Sequence, residues 1–262
     1  MQIVDSHCHL DRLDLSQHQG EGLGRVISEA GEAGVNFMLC VGIDLSNAQT
    51  VVDIAHAYDN IFASVGVHPC DVSDDIVPVD TLLKLSRQRK VVAIGETGLD
   101  YHYSKESKEL QQDSFAMHLD VARQRQLPTI VHTREAKLDT INIIKEYACP
   151  KYAGVLHCFT EDWAMARQAL DLGFYISFSG IVTFKNAVEL KQVAKKVPLD
   201  RMLVETDSPY LAPVPYRGKP NFPKHTRQVV EYIAELRGLP IEEVAECTTN
   251  NFFNLFNSAE LS

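Results

Sequence analysis

The 262-residue chain is short of basic residues: 25 Lys and Arg stand against 35 Asp and Glu, for a formal net charge of -10. That balance excludes general duplex-DNA binding, which draws on many Lys and Arg contacts to phosphate. It leaves open a nucleic acid whose end enters a metal-lined pocket, because there the cations supply positive charge locally. Six cysteines occur, at 8, 40, 70, 149, 158 and 247, and no two form a CxxC pair. A zinc ribbon, a thioredoxin-type redox motif and a disulfide framework are therefore excluded, and reduced thiols in a cytoplasmic protein are expected. No apolar run approaches the length of a membrane span, so no membrane contact is expected. The first residues lack the basic and apolar regions of a secretory signal. No linker or low-complexity stretch divides the chain, so residues 1–262 read as one domain.

What the chain does have is alternation. Apolar runs rich in Val, Ile and Phe recur at 2–7, 37–42, 61–67, 91–96, 128–132, 153–158, 174–178 and 201–206. Amphipathic segments separate them, clearest over Ser46–Tyr58, Lys105–Gln126, Glu135–Tyr147, Asp162–Leu172 and Asn186–Lys196. A Pro-rich loop, 208–223, follows the eighth run, and two helical patterns near 225–237 and 241–256 come after it. Residues 258–262 are expected to fray. Eight strand–helix units imply an α/β fold of the closed (β/α)8 TIM-barrel type.

In such a barrel the chemistry sits at the C-terminal ends of the strands. Six metal-binding side chains fall there in order: His7 and His9, Glu96, His132, His157 and Asp207. Residues two apart on a strand face one way, so His7 and His9 can grip one ion. Imidazole and carboxylate donors suit a divalent metal with open positions for water or substrate. A lone strand-end histidine is usually a satisfied polar group, and Asp207 alone reads as a turn residue before Pro209. The full set in barrel order argues otherwise. Cys8 should face away from the two histidines and fill core. Glu205 and Asp5 lie two residues from ligands and should share their faces, either orienting a ligand histidine or forming buried pairs. His68 can reach a phosphate oxygen or cap the Pro69 turn. Arg134, Arg217, Lys219 and His225 are natural phosphate partners, or ordinary surface. Tyr101 and Phe222 can stack on a base, or pack a loop.

The stretches DSHCHLD (5–11), GVHP (66–69), GETGLDY (95–101), HTREA (132–136), HCF (157–159), ETDSPYLAP (205–213) and RGKPNFP (217–223) resemble the TatD family of metal-dependent hydrolases, in the amidohydrolase superfamily. The resemblance implies a cytoplasmic deoxyribonuclease with two divalent ions, Zn, Mg or Mn. It implies His7, His9 and Asp207 on one metal, His132 and His157 on the other, and Glu96 between them. Phe222 departs from the acidic or amide residue often found there in the family. The reading that follows is a phosphodiesterase working on single-stranded DNA or a 3′ end. A metal-activated water attacks and Asp207 accepts its proton. A D-aminoacyl-tRNA deacylase and a small-molecule amidase or lactonase remain alternatives on the same site, since fold does not fix the bond cut. Oligomeric state is not legible.

Overall fold

A computed structural model describes residues 1–16, 22–72 and 79–259. The expected fraying at the C-terminus falls largely on 260–262, outside those residues. The eight strands are β1 (Ile3–Cys8), β2 (Val35–Cys40), β3 (Ile61–Val65), β4 (Val91–Asp100), β5 (Thr129–Arg134), β6 (Gly154–Leu156), β7 (Tyr175–Phe178) and β8 (Met202–Val204). They run in the order β1 to β8, each parallel to its neighbour. The ring closes nearly completely. A parallel bridge joins Cys8 to Ser208, and the backbone N–H groups of Asp207 and His9 donate to His7 and Ser208 carbonyls at 2.9 and 2.8 Å.

Helices fill the connections: α1 (Gly22–Glu32), α2 (Ala48–Ala57), α3 (Val79–Leu85), α4 (Lys108–Arg125), α5 (Lys137–Tyr147), α6 (Trp163–Asp171) and α7 (Val188–Lys196). After β8 come α8 (Thr226–Arg237) and α9 (Ile241–Leu255). Local signals set their limits. Asp162 caps α6 by accepting from the Met165 N–H at 2.9 Å. Gly238, at φ +64, ends α8 in the left-handed conformation that glycine takes without penalty.

Each strand buries both faces, which is why the strand runs read as nearly continuous apolar segments. Met38, Cys40, Ile61 and Ala63 pack outward against the helices. Alternate residues Leu39, Phe62, Ile130, Val155 and Leu203 fill the interior. Phe252 of α9 and Phe256 just after it join that interior cluster. Asn251 donates to the Leu199 and Met202 carbonyls and Thr249 to the Gln2 carbonyl, so α9 lies across the N-terminal end of the barrel. The bottom is thus a dry plug, and the open end is left for polar groups.

The observed strands differ from the expected ones at their C-terminal ends, where the ligands sit. The eighth run, expected over 201–206, keeps ladder geometry only through Val204, because Glu205–Asp207 turn to present carboxylates. The fourth runs on to Asp100, four residues past the expected end. Its G-E-T-G-L-D tail carries little apolar signal, but it pairs with β5 through Asp100. Gly95 and Gly98 explain how: both hold left-handed φ values (+133 and +137), and a Cβ on Gly98 would lie 2.0 Å from the His132 carbonyl oxygen. The pairing register shifts between Ile94 and Thr97, which aims Glu96 into the barrel mouth.

Candidate metal centre

The structure brings all six proposed ligands into one cluster centred on Glu96, with His7, His9, Glu96 and His157 buried and His132 and Asp207 partly so. Glu96 Oε2 lies 3.3 Å from His7 Nε2. Its Oε1 lies 2.7 Å from His157 Nε2, 3.2 Å from His132 Nδ1 and 3.5 Å from His68 Nε2. The two oxygens therefore face two separate histidine groups. On the first side, Asp207 Oδ1 is 3.4 Å from His9 Nε2 and 3.7 Å from His7 Nε2, and the two imidazole Nε2 atoms are 3.3 Å apart. Asp207 holds this place in a left-handed conformation, φ +56, fixed by its hydrogen bond to His7. Such backbone is uncommon for a residue with a side chain and persists where surrounding bonds enforce it.

The donor chemistry fits divalent cations. His9 Nδ1–H donates to the Val41 carbonyl at 3.0 Å, which leaves the Nε2 lone pair aimed at the cluster. His157 Nε2 and Nδ1, though buried, make no hydrogen bond of good geometry. Three groups of three donors have ligand atoms within 4.8 Å of one another: His7, His9 and Asp207; His68, Glu96 and His132; and His7, His157 and Glu205. The second brings in His68, which the sequence suggested only for phosphate or for a cap. It does cap the Pro69 turn, accepting from the Cys70 N–H at 3.1 Å, while its other nitrogen faces Glu96.

Burial opposes charge on every one of these groups, but their mutual pairing prevails for most. The histidines around Glu96 hold its carboxyl well below the usual carboxylate range despite that burial. His9 and Asp207 shift each other in opposite directions despite burial, the imidazole up and the carboxyl down. Burial drives His68 down to about 4, helped by the His132 and His157 charges. It therefore stays neutral at pH 7, as a ligand nitrogen must.

Around this centre lie carboxylates that hold the imidazoles. Glu205, fully buried, accepts from Ser177 Oγ at 2.5 Å and from the Cys158 N–H at 2.7 Å, and lies 3.4 Å from His157 Nδ1. Of the two roles its spacing suggested, the bonds to Ser177 and Cys158 are those of a buried, paired carboxylate, and the His157 ring lies beside it. Asp5 instead ties the barrel seam, accepting from the Thr206 N–H and hydroxyl; burial raises its pKa to about 7 despite those bonds. Asp100 was not foreseen. Its Oδ2 lies 3.0 Å from His132 Nε2, and its Oδ1 accepts from the N–H groups of His102 and Tyr103. Burial works against its charge, but the His132 hydrogen bond and those N–H groups bring its pKa down to about 2.

A cavity of about 700 Å³ opens over the cluster, lined by His9, Glu96, His132, Arg134, His157 and Asp207 among others. Arg134 is the only Arg or Lys lining it among the described residues. Arg217 and Lys219 are not brought in. Asn221 folds the Pro-rich loop back by donating to the Thr206 and Tyr210 carbonyls, and Arg217 ends over the Phe184 ring, 4.4 Å from its centroid. His225 is buried, bonded to Asn221 and stacked on Tyr216, so it is no phosphate partner. Tyr101 donates to Asp139, and Phe222 packs in the core. Neither offers a free ring. Cys8 is buried beside Leu39, as its strand parity required.

The profile described as "TatD related DNase" matches residues 4–257. The chain belongs to the TatD family. An uncharacterized metal-dependent hydrolase of Escherichia coli (strain K12), YcfH, is 50% identical over 98% of this chain and 96% of its own length. YabD of Bacillus subtilis (strain 168), of the same description, is 40% identical over 97% and 98%. The crystal structure of YJJV, a TatD homologue from Escherichia coli, superposes with a TM-score of 0.89 at 31% identity, covering 97% of this chain and 98% of that one. The TatD-family chain is therefore a metal-dependent hydrolase on a TIM barrel, and no described helix is long and apolar enough to cross a membrane.

Proposed function

We propose that this hydrolase is a cytoplasmic deoxyribonuclease that cuts phosphodiester bonds at the 3′ end of single-stranded DNA. The observation that carries the reading is the two-sided Glu96 at the floor of an open cavity. Its oxygens face separate histidine groups, and an arginine stands at the wall. Two divalent ions, Zn, Mg or Mn, would be held by His7, His9 and Asp207 on one side and by His132, His157 and His68 on the other, with Glu96 between. Bound there, they supply Lewis acidity and a water acidic enough to ionise near neutral pH.

The chain's own groups do the rest. Asp207 accepts the proton of the attacking water as its oxygen bonds to phosphorus. The bond from phosphorus to the 3′ oxygen breaks, and that oxygen takes up a proton from solvent water. Arg134 pairs with a non-bridging phosphate oxygen. Glu205 and Asp100 keep the His157 and His132 rings in register through the step. No serine or cysteine nucleophile is required. Cys8 is sealed in the core, with its thiol pKa pushed up by burial.

The test is a parallel assay of metal-loaded protein on single-stranded DNA, duplex DNA, RNA and D-aminoacyl-tRNA. Release of mononucleotides from the 3′ end of single-stranded DNA is expected. It should stop with chelator and return with Mg²⁺, Mn²⁺ or Zn²⁺. Faster ester cleavage on the aminoacyl-tRNA than on any polynucleotide would overturn the reading, as would full activity in protein shown by elemental analysis to be metal-free.

A further inference from the structure

We infer that Tyr103 and Tyr210 form a two-sided clamp that stacks on the unpaired bases of a single-stranded nucleic acid and selects it over duplex. The inference rests on the nuclease reading for the identity of the polymer. Eight large hydrophobic side chains are exposed among the described residues, and of these only Tyr103 and Tyr210 line the cavity. They are 66% and 52% exposed, respectively. An aromatic ring left in water beside a site is surface waiting for a flat partner.

The fold sets the rings apart. Tyr103 follows β4 and Tyr210 follows β8. In an eight-stranded ring these strands lie four positions apart, on opposite walls of the mouth. Both are anchored by backbone to site residues. The Tyr103 N–H donates to Asp100 at 2.8 Å, and the Tyr210 N–H to the Asp207 carbonyl at 2.9 Å. A second bond fixes Tyr210, whose carbonyl accepts from Asn221 at 2.6 Å. The main chain is held while each ring stays largely exposed, Tyr103 with the His102 ring edge-to-face at 4.7 Å and Tyr210 with the His9 ring at 6.1 Å. Arg134 lies 4.5 Å from the Tyr103 ring centroid, which steadies that ring on one side and leaves a guanidinium beside it for phosphate.

Beyond the metal group, charge adds little to the binding, because Arg134 is the only Lys or Arg on the wall among the described residues. One phosphate contact on a single strand gives a salt slope of only about -0.7. Stacking is the further source of affinity along the strand, and it is tolerant of sequence because every base has a π face. Bases within a duplex have their faces already covered. A clamp of this kind therefore favours unpaired ends. It takes the role that the sequence suggested for Tyr101 and Phe222, whose rings are turned into the protein.

The test uses a single-stranded DNA hexamer with 2-aminopurine at its 3′ end and phosphorothioate linkages to block cleavage. Its fluorescence and affinity are measured with metal-loaded parent protein and with Tyr103→Ala, Tyr210→Ala, Tyr103→Phe and Tyr210→Phe. The parent and both Phe variants should quench the 2-aminopurine. Each Ala variant should lose quenching and bind about 5- to 150-fold more weakly, as for removal of one stacking ring. An abasic 3′ end should weaken binding to the parent by a similar factor. Failure of the parent to bind or quench, or Ala variants that match it, would overturn the clamp. Cleavage of the unmodified hexamer is followed alongside. Quenching without cleavage supports the clamp and removes the nuclease reading; cleavage without quenching does the reverse.

Discussion

His118, deep in α4, gives a prediction that can be worked through in numbers. Its ring is fully buried, Nδ1–H donates to the Ser114 carbonyl at 2.7 Å, and Nε2 accepts from the Val67 N–H at 3.1 Å. That second bond holds the residue next to His68. Protonation of Nε2 would break it and bury a charge. Burial accordingly lowers the pKa from 6.5 to about 4. In the unfolded chain the ring takes up its proton first as pH falls. The stability that neutral His118 provides is therefore present above pH 6.5 and lost as pH drops towards 4. Linkage at pH 5 amounts to about 2 kcal/mol, and the full loss approaches about 3 kcal/mol. His118→Gln keeps an acceptor for Val67 but cannot titrate. It should cost about 1 kcal/mol at pH 8 through the lost bond to Ser114. Urea unfolding of both proteins in chelator at pH 8, 7, 6 and 5 measures the difference. The parent should lose about 2 kcal/mol more than the variant between pH 8 and pH 5. Parallel curves would refute the assignment of a buried neutral imidazole at 118.

Other consequences are quicker to test. Asp207→Asn should fold normally by circular dichroism and lose roughly 10²- to 10⁴-fold in rate, as for a positioned base; a rate within a few-fold of the parent at equal metal content would remove it from the step. Glu96→Ala should lower total bound metal, measured by elemental analysis, by more than His157→Ala does, because it faces both histidine groups. Gly98→Ala should unfold at lower temperature and hold less metal, since its Cβ would strike the His132 carbonyl; an unchanged melting curve would mean that β4 and β5 can part there without cost.

The barrel was legible because its strands are buried on both faces and its helices on one, so the two periods alternate visibly along the chain. The ligands were legible because imidazoles and carboxylates at strand ends have few structural uses in that order. What escaped notice lay where pattern and position part company. Asp100 sits in a Gly-rich stretch that reads as loop, though it continues β4. His118 shares the buried face of α4 with the polar Gln111 and Ser114, and only its Val67 partner reveals its work. Arg217 and Lys219 are close to Asp207 in sequence, but Asn221 folds their loop back so that neither lines the cavity. Tyr103 lies outside every motif and Tyr210 inside one chosen for its carboxylates; exposure is what singles both out, and a sequence does not display it.

The seam between β1 and β8 has a consequence for how the protein comes into being. Asp5 and Thr206, bonded across it, are 201 positions apart. His7 and His9 leave the ribosome with the first strand, whereas Asp207 must wait for almost the whole barrel. Until then the two histidines have no carboxylate from the last strand to complete their group. A nascent or truncated chain that stops before β8 can present imidazoles to a cation but not the full ligand set. Tight cation binding is thus a report that the ring has closed. A stray ion caught early would have to be held by Glu96 and its nearer histidines alone. In the finished protein the same bonds that join the first strand to the last also bring the proposed base into place, so a barrel that springs open at this seam loses its metal group and its proton acceptor together.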